Sequence, residues 1–216
     1  MAIKAREGNT IEQTPGRKNR IGQRRCERIK TVAANLFLAH GFDGVSLDDV
    51  ILQAGGSKRN IYDNFGSKEG LFLTVVEGLV DEFTAPVRGI DLVPYPLEEG
   101  LRIFARTVLD ALLSGRPYQL YRLVVGESGR FPDVGRRWFS HGPQAAQSVL
   151  ADFLSRHSAA GAIGMLEPDR AAAHFHHMLV YDHFFAFGLG VPAMERDTDR
   201  VIDEVVRLFC LGYLKR

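Results

Sequence analysis

Residues 46–68 read SLDDVILQAGGSKRNIYDNFGSK, and the punctuation of this stretch decides the fold. Ser46-Leu47-Asp48-Asp49 has the S-x-x-D form of a capping box, in which the serine accepts from first-turn amides and Asp49 reaches back to the cap. A short helix over 47–53 follows, with Val50 and Ile51 to bury. Ala54-Gly55-Gly56 predicts a tight turn, because paired glycines weaken a helix and permit positive φ. Ser57 restarts a helix as its N-cap, over about 57–63, and Ser67 caps another after Asn64-Phe65-Gly66.

Two short helices across a glycine turn have the helix-turn-helix arrangement, whose second helix enters the DNA major groove with its N-terminal residues at the base edges. Ser57, Lys58, Arg59 and Asn60 crowd the start of that helix with donors, and Arg and Asn suit bidentate contacts with guanine and adenine. Tyr62, Asn64 and Lys68 fall where a phosphate strand would pass. Lys68 also stands at a helix N-terminus, whose free amides favour anions. Asp63, awkward beside phosphate, is expected to point away.

Upstream, Ile29, Val32, Ala33, Leu36 and Phe37 recur at three- and four-residue steps, marking an amphipathic helix from Arg24 to His40-Gly41. Residues 1–21 are polar, carry Gly8, Pro15 and Gly16, and have no sustained apolar period, so a flexible arm is expected there, with order beginning near Gly22. Downstream of Ser67, a fourth helix runs through Leu71, Phe72, Val75, Val76, Leu79 and Val80 toward Pro86. Beyond Pro94 the pattern predicts helices over 97–114, 117–128, 132–140, 142–158, 168–187 and 198–214, separated by Gly and Pro. No strand, repeat or low-complexity tract is evident. The expected fold is all-α: an arm at 1–21, a helix-turn-helix DNA-binding domain at 22–68 with three helices, and a helical effector-binding and dimerisation domain at 69–216.

At 216 residues the chain can bury a real core without disulfides. Its two cysteines, Cys26 and Cys210, lie near opposite ends and lack the spacing of a zinc or redox pair, so both are read as free thiols in a reducing cytoplasm. The N-terminus has charges but no apolar signal-peptide core, and no apolar run reaches the ~18 residues of a membrane span. A soluble, cytoplasmic protein without a membrane partner is expected. Net charge is only +1, yet residues 1–70 hold 12 Lys+Arg against 8 Asp+Glu while the remainder holds 15 against 18. The positive charge sits with the helix-turn-helix, notably at Arg17, Lys18, Arg20, Arg24, Arg25, Arg28 and Lys30, and again at Lys58, Arg59 and Lys68.

The stretch from Ala33 or Ala34 to Phe72 closely resembles the DNA-binding region of TetR-like (TetR/AcrR) regulators. Its opening has the form A-x-x-L-F-x-x-x-G-F-x-x-x-[ST], here Leu36-Phe37, Gly41-Phe42 and Ser46; its close has the form Y-x-x-F-x-[SN]-K-E-x-L, here Tyr62, Phe65, Ser67-Lys68-Glu69 and Leu71. The resemblance implies a DNA-binding domain of three helices, a larger C-terminal domain that dimerises and binds a small-molecule inducer, and DNA contacts from Ser46, Ser57, Lys58, Arg59, Asn60, Tyr62, Asn64 and Lys68. This chain departs from the family at Gly56, where a small apolar residue is common, and at Asn60, where Thr is usual. The first departure suggests a looser turn and the second a different base preference. The C-terminal part resembles the AefR-like branch through Tyr121–Ser128, Arg130-Phe131-Pro132-Asp133 and Trp138-Phe139.

Phe175, Met178, Leu179, Phe185 and Phe187, then Val201, Val205, Leu208, Phe209 and Leu211, supply more apolar surface than one core requires, so a homodimer through the last two helices is expected. A pocket for an apolar or aromatic effector is expected from Phe104, Val108, Tyr121, Trp138, His177, Tyr181 and Phe184. His174 and His177 lie one helical turn apart and His176 and His183 two turns apart, which raises the alternative of an all-α metal-binding protein or enzyme centred on the His174–His183 helix. Those faces do not converge, and no Glu or Asp stands three residues before any of these histidines. With no nucleophile–base motif or phosphate-cradling loop either, the expectation is no enzyme, no metal and no cofactor. The chain reads as a transcriptional regulator, a repressor released from a pseudo-palindromic operator in double-stranded DNA by an inducer.

Overall fold

In a computed structural model, which describes residues 17–161, 164, 167–191 and 197–213, the described residues form ten α-helices and no strand. The helices are α1 (Arg17–His40), α2 (Leu47–Ala54), α3 (Lys58–Phe65), α4 (Lys68–Arg88), α5 (Leu97–Leu113), α6 (Arg116–Glu127), α7 (Pro132–His141), α8 (Pro143–Ala159), α9 (Pro168–Gly188) and α10 (Thr198–Tyr213). Residues 1–16 of the expected arm and the end of the last helix at 214 lie outside the described residues. Arg17–Ile21, expected in the arm, are instead the first residues of α1. Ile21 is 53% exposed, and along α1 full burial begins only at Ile29.

The caps act as their residue types require. Ser46 Oγ accepts from the Asp49 amide at 3.2 Å while Asp49 Oδ2 accepts from the Ser46 amide at 2.8 Å, which closes the box at the start of α2. Gly55 and Gly56 then turn the chain at φ +75° and +106°, a region that L side chains rarely adopt. A Cβ on Gly56 would also lie 3.2 Å from Asn60 Oδ1. The turn is therefore tight rather than loose, and glycine at 56 is a geometric requirement.

Two apolar cores result. One gathers Ile29, Ala33, Phe37, Phe42, Val50, Ile61, Leu71, Phe72, Val75 and Leu79 from α1–α4, and it is completed by Leu120, Leu123, Val124 and Val134 from α6 and α7. Its centre is aromatic: Phe42 lies 5.1 Å from Phe72 and 4.9 Å from Phe131, ring centre to ring centre, and Phe37 lies 5.2 Å from Phe72. Edge contacts of this kind add about 0.5–1.5 kcal/mol beyond the area they bury. The helix-turn-helix unit is thus closed by residues well beyond the expected boundary at 68/69.

The second core draws on α5, α8, α9 and α10 through Leu101, Phe104, Leu109, Leu150, Phe153, Phe175, Leu179, Val206 and Phe209. Gly100 of α5 makes room for Phe153 of α8, because a Cβ there would lie 2.2 Å from Phe153 Cζ. The surface of α9 facing away from this core is apolar too. Met178, Tyr181, Phe185 and Leu189, spaced at one helical turn, are 43–67% exposed, and Leu208 and Leu211 of α10 are 56% and 68% exposed.

Candidate nucleic-acid interface and effector cavity

Ile61 is fully buried and Phe65 partly so, which fixes the rotation of α3 about its axis. Arg59, Tyr62, Asp63 and Asn64 consequently face solvent, with the Arg59 side chain 88% exposed. Lys58, three residues before Ile61, lies toward α2 and pairs with Asp48 Oδ2 at 2.9 Å. That hydrogen bond raises the Lys58 pKa above its ordinary value, so the ammonium is secure. At the head of the helix, Asn60 Oδ1 accepts from the amide and the hydroxyl of Ser57, both at 3.1 Å. Ser57 Oγ in turn accepts from the Asn60 amide at 3.4 Å.

This arrangement refines the expected roles. Asn60 is a capping residue as well as a candidate base reader, and only its amide nitrogen is left to donate outward. Asp63 Oδ2 lies 3.6 Å from Arg59 Nε, because one helical turn separates them. Asn64 donates from Nδ2 to the Asn60 carbonyl at 2.7 Å. Lys68 holds its ammonium 4.2 Å from the centre of the Phe42 ring, which Arg130 of the α6–α7 connection also approaches at 4.7 Å. Ser46 remains exposed at the head of α2. The expected residues thus lie at the head of α2, along α3 and at the start of α4. Arg28 of α1 donates to the Gln53 carbonyl at the end of α2 at 3.2 Å, and Asp48 of α2 is the acceptor for Lys58. Sequence reasoning did not single out Asp48, because its partner lies ten residues away across the turn.

The expected effector residues divide. A cavity of about 90 Å³ lies between α4, α5, α6, the α7–α8 junction and α9, and is lined by Val80, Phe83, Thr84, Val108, Leu120, Trp138, Ala146, His176 and Phe184 among others. Of the expected set, Val108, Trp138 and Phe184 line it. Tyr121 is set back, its ring 5.3 Å from Trp138 and 4.9 Å from Phe184. Phe104 is fully buried in the second core, packed on Phe175. His177 and Tyr181 project from α9 away from the cavity. His177 meets Gln147 at 3.4 Å, and Tyr181, 63% exposed, stacks on Phe185. The histidine that reaches the cavity is His176, one position along and therefore about 100° around the helix. Its pKa is pushed down to about 4, first by burial and then by His177, so the imidazole is neutral. The remaining histidines diverge: His174 Nδ1 meets the Tyr213 hydroxyl at 3.0 Å. Among the described residues no three His, Cys, Asp or Glu are placed to share a metal ion, and no helix is long and apolar enough to cross a membrane.

Comparison with known proteins accords with this geometry. Residues 29–75 match the family of bacterial regulatory proteins of the tetR type, and residues 99–215 match the C-terminal domain of AefR-like transcriptional repressors. The HTH-type transcriptional regulator RutR of Escherichia coli K12 is 32% identical over 76 residues, which are 35% of this chain and 36% of RutR. The aligned stretch thus spans about a third of that relative's length. Among solved structures, the flavonoid-responsive regulator FrrA is 29% identical with a TM-score of 0.76, covering 90% of this chain and 99% of its own. A TetR-family regulator from Mesorhizobium loti shares the fold at 24% identity and a TM-score of 0.73, covering 90% of this chain and 98% of its own. These relatives are transcriptional regulators and not enzymes. The chain belongs to the TetR family of bacterial transcriptional regulators, with an AefR-like C-terminal domain.

Proposed function

We propose that the protein is a cytoplasmic, DNA-binding repressor released from a pseudo-palindromic operator by a small apolar or aromatic effector. The observation that carries this reading is the exposed N-terminal turn of α3, where Arg59 and the Asn60 amide are offered outward from a capped helix anchored by Ile61. In this reading Arg59 and Asn60 meet base edges, while Ser46, Ser57, Lys58, Tyr62, Asn64 and Lys68 position the phosphate backbone.

Residues 22–68 carry the DNA contacts and 69–216 the effector cavity and the dimer. The exposed apolar stripe of α9 with Leu208 and Leu211 of α10 supports a two-fold homodimer, which would set two recognition helices about 34–36 Å apart to read successive major grooves. The apolar cavity supports the effector class, and FrrA, named for its response to flavonoids, has the same fold and 29% identity.

The coupling element is α6. Leu120 lines the cavity, Leu123 and Val124 belong to the helix-turn-helix core, and Glu127 reaches the Phe42 backbone. A drug-sized effector needs a pocket of several hundred Å³, so occupation moves the cavity walls, including α6. The recognition helices then shift out of groove spacing. Coupling is reciprocal, so operator DNA weakens effector binding by the same factor.

The deciding experiment recovers and sequences the genomic fragments that the protein retains at near-physiological salt. Enrichment of one short pseudo-palindrome is the expected result. Retention of random fragments only, after unfolding and refolding have removed any bound effector, would overturn the reading.

A further inference from the structure

Among the described residues sixteen line the cavity, and none of these carries a formal charge at neutral pH. The Thr84 hydroxyl is already committed, donating to the Val80 carbonyl at 2.8 Å. His176 differs. Only 4% exposed, it lines the cavity while its Nδ1 is sealed from solvent with no hydrogen-bond partner among the described residues. The Tyr118 hydroxyl is likewise unmatched, but Tyr118 stacks on Phe187 and does not line the cavity.

A buried polar atom without a partner forfeits the solvation it had in the unfolded chain, so native proteins retain few of them. A ligand that supplies the missing group restores that loss, and one that lacks it leaves the penalty in place. On the reading of this cavity as the effector site, we propose that His176 is its polar specificity determinant and selects an uncharged, largely apolar or aromatic ligand bearing a hydroxyl group.

A hydroxyl fits better than the other neutral groups. A neutral imidazole has one donor nitrogen and one acceptor nitrogen, and a hydroxyl both donates and accepts, so it matches either tautomer; a carbonyl matches only one. The imidazole stays neutral at physiological pH because burial depresses its pKa to about 4, and the lining offers no fixed charge to pair with an ionic ligand. At about 90 Å³ the cavity has room for roughly six to nine water-sized atoms, about the size of one substituted aromatic ring, and contact with the sealed Nδ1 requires its walls to shift as the ligand enters.

The chain contains a single tryptophan, Trp138, and it lines the cavity, so its emission reports occupancy. The test titrates the full chain with 4-methylphenol, 1,4-dimethylbenzene and 4-methylbenzoate, the first two matching atom for atom except at the hydroxyl. The expected result is binding of 4-methylphenol about tenfold or more tighter than 1,4-dimethylbenzene. His176→Phe should abolish that preference by weakening the phenol alone, and His176→Gln, which keeps a hydrogen-bonding group, should retain part of it.

Equal affinity of the two neutral probes in the wild type, or a preference that survives in His176→Phe, would overturn the role of His176 and leave the cavity standing as a ligand site. Tighter binding of 4-methylbenzoate would overturn the uncharged class. If no probe alters Trp138 emission, the cavity reading itself fails and the proposal falls with it. Ala146→Phe, which fills the cavity from α8, should block both neutral probes; undiminished binding there would place them elsewhere and have the same effect.

Discussion

Glu127 Oε1 accepts a hydrogen bond from the backbone amide of Phe42 at 3.2 Å, across 85 residues of sequence. Phe42 follows Gly41, which turns the chain out of α1 at φ +72°, and the partner of its amide is the last residue of α6. The same α6 contributes Leu120 to the cavity, seven residues or about 10 Å of helix away. Arg130, just beyond α6, adds a pair with Asp43 at 2.7 Å and lies over the Phe42 ring. The loop between α1 and α2 is thereby fixed to the element that borders the cavity.

Removing that contact should loosen the two units from one another. Glu127→Ala leaves the Phe42 amide unmatched in a partly buried place and should lower stability by about 1–2 kcal/mol. Glu127→Gln keeps an acceptor oxygen and should lose less. In both variants operator binding without effector should be nearly normal, while release by effector should weaken, more so for alanine. Chemical denaturation and operator titrations with and without effector check this; unchanged release in Glu127→Ala would remove α6 from the coupling path.

Asn60 combines two tasks that different substitutions separate. Asn60→Ala should cost about 1 kcal/mol of stability through loss of the capping box, and also relax base preference. Asn60→Asp keeps the oxygen that receives the Ser57 amide but discards the outward donor. It should therefore fold as stably as the wild type while its ratio of operator to random-DNA affinity falls by about 1–3 kcal/mol. Thermal melts together with binding to both DNAs check this. An unchanged ratio in Asn60→Asp would leave Asn60 as a cap alone.

The difference between Asn60 and His176 shows what was legible in the sequence. Serine caps, glycine turns and helical periodicity act within a few residues, so each of the ten helices of the described residues was legible, apart from the first turns of α1. Pairings that depend on how helices cross could not be placed. Asp48 meets Lys58 only because α3 folds back on α2, and Glu127 meets Phe42 only because α6 lies along α1. In α9, which is apolar nearly all round, periodicity does not identify the cavity face. The sequence points to His177 there, and the packing of α9 against α8 and α6 turns His176 toward the cavity instead.

The Asp48–Lys58 pair predicts a gain from removing a charge. Both side chains are more than half exposed, so the pair contributes little to folding. In the proposed complex with DNA, however, Asp48 would both hold back the Lys58 ammonium and place a negative charge near phosphate. Asp48→Asn should raise affinity for operator and random DNA alike, and should steepen the slope of log K against log salt by up to about 0.9, one additional phosphate contact. Lys58→Ala should do the reverse. Binding isotherms at several salt concentrations decide the matter; if Asp48→Asn binds no more tightly, Lys58 does not contact the backbone.

The buried imidazole makes stability depend on pH in a predictable direction. Unfolded, His176 titrates near its ordinary value of 6.5, whereas in the folded protein burial pushes its pKa down to about 4. Between these values the unfolded chain binds a proton that the folded protein does not, so protonation favours unfolding. The contribution of His176 to stability should be constant above about pH 6.5 and fall progressively toward pH 4, by up to roughly 3 kcal/mol in total. Other groups titrate in the same range, so the informative quantity is the difference between wild type and His176→Phe. Denaturant unfolding at steps from pH 8 to pH 5 should show the variant losing less stability than the wild type as the pH falls. The two curves should run parallel above pH 7. Parallel curves throughout would mean that the His176 ring gains a proton in the folded protein as easily as in the unfolded chain, which requires that water or a partner reach it inside the cavity.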